Sequence, residues 1–397
     1  MSFPIKISAN GRYFTYSDGQ PFFWQGDTEW ELLRYLSLPD ADALLKRRRA
    51  QGFNVIQAMV LGVFQEWGAD KGMASWQGIQ PWIDRDPLKP NDAYFQRMDA
   101  IVTAAAKLDL VLVVGVYHSR DEDAGRISAA TVGPWAKWLG NRYRNAKNIV
   151  WSMYPHATPV STATVQAAVG GLREGDNGAH LVTLHPDPSP TSSSFMHDEP
   201  WLSFNTLQTW DNGRLNYDMV ATDYGRKPVK PVVNGEARYE AEDGATDRDV
   251  RRGAWWSCLA GGFYSYGHRD NWRSPATWWE WTDSPGAGQM QVLGDLFRSL
   301  PWWKLEPAQQ LFSGSPGQNA AARSVDGDWV LVYLPENAPV SLNMERLSGQ
   351  VTGAWLDPRS GERTGIEAFS AWGARTLTPP AGWQDAVLLL NGGSPRR

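Results

Sequence analysis

Eight short apolar runs constrain this chain most, because each is followed by a helical pattern or by a connection long enough to hold one. The runs are Phe22–Asp27, Asn54–Val60, Leu110–His118, Ile149–Tyr154, Leu181–His185, Phe204–Thr209, Val232–Glu236 and Phe263–His268. From Leu110 to Val116 every residue is apolar or glycine, as expected of a parallel strand buried on both faces. Pro39-Asp40 opens a helix running to Gln51, with Gly52 as its stop. Asn91-Asp92 caps another, with Tyr94, Met98, Ile101, Val102 and Ala105 at helical spacing. Further helices are expected with Pro134 early in one that reaches Lys147 and over Thr162–Glu174, Leu215–Tyr224, Arg248–Leu259 and Met290–Leu300. Eight such units predict a (β/α)8 barrel. An open doubly wound sheet would place a glycine-rich phosphate turn after the first strand, and Gly26-Asp-Thr-Glu29 is not one.

Both ends of the barrel carry additions. Ile5-Lys-Ile7, the turn Asn10-Gly11 and Arg12–Tyr16 read as a hairpin capping one end. After Pro301 helical periodicity stops, and short alternating runs follow at Ala320–Ser324, Trp329–Leu334, Gly353–Leu356 and Ala386–Leu390. They predict a small antiparallel β-sandwich. The domains are therefore drawn as 1–313, barrel with hairpin, and 314–397, sandwich.

A barrel gathers its strand C-termini on one rim, where function resides. The tips read Asp27, Gln57, His118, His156, His185, Gln208, Glu236 and His268, which places four of the chain's six histidines on the rim. Such a polar ring suits a polyhydroxylated ligand or a metal. Three histidines and an aspartate could ligate zinc, but the chain has no His-x-His, no His-x-x-x-His and no Cys-x-x-Cys. A metal-dependent hydrolase is the lesser alternative, and no metal or cofactor is expected.

Composition bears on the ligand. Of 22 tryptophans, more than a core needs, 18 precede residue 314, and flat indoles stack well on sugar faces. Trp24, Trp30, Trp67, Trp151, Trp210, Trp272, Trp278, Trp279 and Trp281 are the candidates for a sugar platform, and Tyr154 belongs with the rim. The net charge of −5 is small and forms no basic stripe, which argues against nucleic acid as a partner. One cysteine, Cys258, permits no intrachain disulfide and is expected to be a buried thiol. Met1–Ile7 lacks the apolar core of a signal peptide and no run is long enough for a membrane span, so a cytoplasmic or a mature exported form is expected. Oligomeric state is not legible.

Phe22–Trp30, Gly52–Gln57, Asn148–Trp151, His197–Gln208, Lys230–Glu236, Arg251–Trp256, Tyr266-Gly-His268 and Pro285–Met290 together resemble the apiosidase-like glycoside hydrolases. Trp355–Gly361 is similar to the collagen-binding-type β-sandwich appended to that family. The resemblance implies a retaining glycosidase barrel, exo-acting on a side chain of a plant or bacterial polysaccharide or oligosaccharide. It implies one catalytic carboxylate after strand four and another at strand seven. Glu236 holds the strand-seven position and is expected to be the nucleophile. At strand four the family runs to Gly-Gly-Asp, whereas this chain runs to Tyr154-Pro155-His156.

Retention needs a proton donor about 5–5.5 Å from the nucleophile. His156 is one candidate, and the others are Asp121, Glu122, Asp123, Asp187, Asp198, Glu199 and Asp27. The alternative from another class is a carbohydrate-binding barrel that no longer hydrolyses. Arg269 and Arg273 raise an acidic sugar as a possible ligand.

Overall fold

The computed structural model describes residues 3–63, 73–188 and 190–392. Trp67 lies outside these residues. Eight parallel strands form the barrel: β1 (Gln25–Thr28), β2 (Val55–Met59), β3 (Val111–His118), β4 (Ile149–Tyr154), β5 (Val182–Leu184), β6 (Asn205–Gln208), β7 (Val232–Glu236) and β8 (Phe263–Tyr266). Neighbours pair in sequence order from β1 to β5 and from β6 to β8, and β8 returns to β1. The seam between β5 and β6 is closed by a bridge from Val182 to Leu202. There the Thr183 hydroxyl also donates to Phe204 O at 2.9 Å.

Around the strands lie α1 (Leu38–Ala50), α2 (Asp92–Lys107), α3 (Ser119–Asp123), α4 (Ala129–Tyr143), α5 (Pro159–Asp176), α6 (Ser193–Met196), α7 (Leu215–Tyr224), α8 (Asp247–Leu259), α9 (Trp279–Thr282) and α10 (Pro285–Arg298). Capping accounts for several starts. Ser37 accepts from Asp40 N at the head of α1, and Asn91 accepts from Ala93 N at the head of α2. All five apolar positions expected on α2 are buried. The helix expected to hold Pro134 early in its length starts at Ala129, where Ser128 and Thr131 form a capping box, and ends at Tyr143, short of Lys147.

The first apolar run divides in two. Pro21–Phe22 joins a three-stranded N-terminal sheet with Lys6–Ile7 and Phe14–Thr15, and only Gln25–Thr28 enters the barrel. Phe14 packs on Trp24, Phe204 and Phe263 with centroids 5.1–5.5 Å apart, closing the floor of the barrel opposite the rim.

The C-terminal domain is a six-stranded antiparallel sheet faced by a two-stranded one. Its sheet takes in Leu305–Pro307, paired with Ala322–Ser324, ahead of the 313/314 division drawn from the sequence. The sandwich is packed hard on α8: Trp255 stacks on Tyr333 at 5.8 Å, and Trp256 Nε1 donates to Gln318 O at 2.8 Å. Arg251 and Asp385, both fully buried, form a two-bond ion pair across this junction, at 2.9 Å for each bond. Of the tryptophans in this domain, Trp355 is buried in its core and Trp372 is 81% exposed.

Candidate active site

A cavity of about 460 Å³ opens at the C-terminal rim. Trp30, His118, Tyr154, His156, His185, Gln208, Trp210, Glu236 and Trp272 line it, together with Asp123, Asp187, Arg120, Tyr239 and Glu242.

Glu236 owes its aim to an irregularity in β7. Asn234 turns outward, and its Nδ2 donates to Asn216 Oδ1 at 2.9 Å and to Ser257 Oγ at 3.0 Å. Gly235 faces the crowded barrel interior, where an added Cβ would stand 2.7 Å from Thr206 Cγ2 and 3.1 Å from His185 Cδ2. Regular alternation would send Glu236 outward with Asn234. The register between β7 and β6 shifts between Asn234 and Glu236, and this bulge re-aims the carboxylate into the cavity. Asn234-Gly235 is therefore part of the strand, although Asn-Gly is by itself a turn-forming pair.

Three side chains fix the orientation of that carboxylate. Trp30 Nε1–H donates to the Tyr239 hydroxyl at 2.8 Å. An indole N–H is only a donor, so Tyr239 must pass its own proton toward Glu236 Oε1, to which it is hydrogen-bonded. His185 Nε2 stands 3.5 Å from Oε2. Burial pushes Glu236 up to about 7; the Tyr239 hydrogen bond works against this, and the charge of Glu242 adds to it. Burial also holds His185 down to about 4, so its ring is neutral beside the carboxylate.

The loop carrying Tyr239 is anchored beyond the site. Glu240 accepts from Tyr266 Oη at 2.5 Å and from Gly286 N at 3.1 Å, at the start of α10. On the facing wall, the Tyr154 ring stacks with His185 at 4.6 Å and with His118 at 6.2 Å. His118 accepts from Arg120 N at 3.2 Å as the cap of α3, and burial holds its pKa down to about 3.

His156 joins two carboxylates. Its Nδ1 is 2.7 Å from Asp187 Oδ2 and its Nε2 is 3.1 Å from Asp123 Oδ2. Burial opposes the charged ring, but hydrogen bonds and charge from Asp123 and Asp187 outweigh it and raise the pKa of His156.

Three expected rim residues do not reach the cavity. Asp27 is wholly buried and points outward to α1, where Arg48 Nε lies 2.6 Å from its Oδ2. Gln57 lies beneath the cavity, and its Nε2 donates to Gly235 O at 2.7 Å and Thr28 Oγ1 at 3.1 Å. His268 is stacked on Trp281 at 5.7 Å. For Asp27 the reason is the two-residue period of a strand, which turns its side chain outward; Gln57 faces inward but lies a layer below the cavity, and His268 lies past the end of β8.

Of the other carboxylates considered, Asp121 accepts from His118 N at 3.0 Å and Glu122 from Ser161 Oγ at 3.0 Å, both away from the cavity. Asp198 and Glu199 do not line it either. Among the tryptophans, Trp24 and Trp151 are core residues, and Trp278, Trp279 and Trp281 lie off the cavity. Cys258 is buried, with its thiol pushed well up by burial. Among the described residues, no group of three or more His, Cys, Asp or Glu side chains is placed to hold a metal ion. No helix among them is long and apolar enough to cross a membrane.

Sequence reasoning passed over Tyr239 and Glu242. The short spacing Glu236-Ala-Arg-Tyr239 was the available signal for the first, but its contact with Trp30 depends on barrel closure.

A crystal structure of a glycoside hydrolase family 5 protein from Bacteroides vulgatus superimposes with a TM-score of 0.89 at 24% identity, covering 98% of this chain and 93% of that one. A second solved structure, named "Glycoside hydrolase", gives a TM-score of 0.89 at 25% identity, covering 100% of this chain and 98% of that one. Comparison with curated proteins gives no match. Residues 307–391 match the model described as "Putative collagen-binding domain of a collagenase". Residues 8–304, the barrel with its N-terminal sheet, match the model "Apiosidase-like, catalytic domain", and the chain belongs to this family of glycosidases.

Proposed function

We propose that the protein is a retaining, exo-acting glycosidase in which Glu236 is the nucleophile and His156 the acid/base. The observation that carries the reading is the chain Trp30 to Tyr239 to Glu236. It presents the carboxylate as a hydrogen-bond acceptor, with Oε2 turned to the neutral His185. An acceptor held in one orientation suits attack on an anomeric carbon better than it suits proton donation. The cavity of about 460 Å³, walled by Trp30, Trp210 and Trp272 and open at the rim, has a limited volume that suits a terminal sugar better than a run of chain.

The lining also bears on the sugar. Asp123, Asp187, Glu236 and Glu242 face the cavity, with Arg120 as the one guanidinium among the described residues that line it. Arg269 and Arg273 are turned to Asp270, at 2.8 and 3.9 Å. This balance favours a neutral sugar over an acidic one.

The pH dependence follows from these groups. Glu236 must be ionised to attack, so kcat/KM rises through about pH 7, and the basic limb falls as His156 loses its proton above its ordinary range. Tyr239→Phe removes a hydrogen bond to the ionised carboxylate. The acidic limb is then expected to move up by about one pH unit or more, the scale of a charge-assisted bond. A kcat/KM profile on an activated aryl glycoside checks this, and an unmoved limb would contradict the role given to Tyr239.

A further inference from the structure

How the leaving group receives its proton is a separate question, and its answer rests on the reading of Glu236 as nucleophile. A neutral imidazole has one N–H donor, yet both ring nitrogens of His156 face carboxylates within hydrogen-bonding distance. Both contacts are hydrogen bonds to ionised carboxylates only when the ring is an imidazolium. The cluster is therefore built to hold a proton on His156.

Its two arms are unequal. Asp187 follows β5 directly, through His185 and Pro186, which are both buried, and makes the shorter contact of 2.7 Å. Asp123 is the last residue of the five-residue α3, is 63% exposed, and makes the longer contact of 3.1 Å. We infer that Asp187 is a positioning residue that makes His156 the acid/base: it fixes Nδ1–H and aims Nε2–H at the glycosidic oxygen, which displaces Asp123. A carboxylate behind the ring also answers the electrostatic objection to histidine here. The imidazolium beside a developing oxocarbenium ion is neutralised by Asp187 from the far side.

The steps balance. Glu236 attacks the anomeric carbon while the bond to the glycosidic oxygen breaks and that oxygen takes the Nε2 proton. The leaving alcohol departs, leaving a glycosyl ester on Glu236 and a neutral His156. Water then attacks the same carbon and gives one proton to Nε2. The ester bond breaks, and both the Glu236 carboxylate and the imidazolium are restored.

Among the described residues, the titratable and charged groups bearing on the ring are Asp123 from α3, Asp187 from the β5 loop and His118 at the end of β3. Removing the Asp187 charge should therefore lower the basic limb of the pH profile, which a merely structural role would not do. The test uses 2,4-dinitrophenyl glycosides of common pentoses and hexoses, which leave without protonation, beside the matching methyl glycosides. For Asp187→Asn we expect kcat/KM to fall about 100-fold on the methyl glycosides and far less on the dinitrophenyl ones, whose cleavage takes no proton, while kcat on the latter falls because the water step still gives its proton to Nε2. The basic limb moves down by about one pH unit, and Asp187→Glu recovers most of both effects. His156→Ala loses methyl glycoside activity to at least the same extent.

An unmoved basic limb in Asp187→Asn overturns the inference. So does full methyl glycoside activity in His156→Ala, which would make Asp187 the donor. An active Glu236→Gln, or a wild type that turns over no member of the panel, overturns the underlying reading as well.

Discussion

Glu236→Gln is expected to lower kcat by about four to six orders of magnitude, the scale on which loss of a covalent nucleophile acts, while the protein stays folded. Gln keeps the shape of the side chain and still accepts from Tyr239, so the hydrogen-bonded relay from Trp30 survives without the nucleophile. The stability effect has a definite sign. Glu236 has a pKa of about 7 in the fold against an ordinary 4.5, because burial penalises its charge. Its contribution to stability is thus complete below about 4.5 and is lost as the pH rises through about 7. Thermal unfolding should accordingly show the Gln variant gaining on the wild type across that window. A variant that is inactive only because it is unfolded would lose Tm at every pH.

The second large effect lies far from the cavity. Arg251→Ala is expected to destabilise the protein by ~3–5 kcal/mol, because it leaves Asp385 buried without its cation. Arg251 stands on α8 and Asp385 on the sandwich, and neither is exposed to solvent. The guanidinium also donates to Gln289 Oε1 at 2.6 Å, and Tyr333 donates to Asp385 Oδ2 at 2.8 Å, so four side chains of the junction depend on one pair. The expected readout is an earlier first transition, with sandwich and barrel no longer melting together. Arg251→Lys should recover only part of the loss, since an ammonium cannot make the parallel bonds of the fork. A Tm within a degree of wild type would show that the junction is held by its aromatic contacts alone.

The barrel was legible because buried parallel strands leave continuous apolar runs and helix starts leave capping residues. Leu110–His118 and the α2 pattern around Tyr94 and Met98 illustrate each case. The site was less legible because rim position is not orientation. Asp27, Gln57 and His268 stand at strand ends, yet their side chains face α1, the barrel interior and Trp281 respectively. Glu236 would have pointed outward by the same rule, and only the bulge at Gly235 turns it in. The setting of His156 was hidden for a different reason. Asp123 and Asp187 come from loops after β3 and β5, and nothing local distinguishes them from Asp121 or Asp198 before the barrel closes.

As the proposed nucleophile, Glu236 forms the covalent glycosyl intermediate. The most direct test of this role is incubation with 2-deoxy-2-fluoro glycosides bearing a dinitrophenolate leaving group, followed by intact-mass and peptide mass spectrometry. A mass gain of one fluoroglycosyl unit is expected, located on the peptide containing Glu236 and absent from Glu236→Gln. An adduct on another carboxylate, or turnover that proceeds with inversion and leaves no adduct, would contradict the nucleophile role of Glu236.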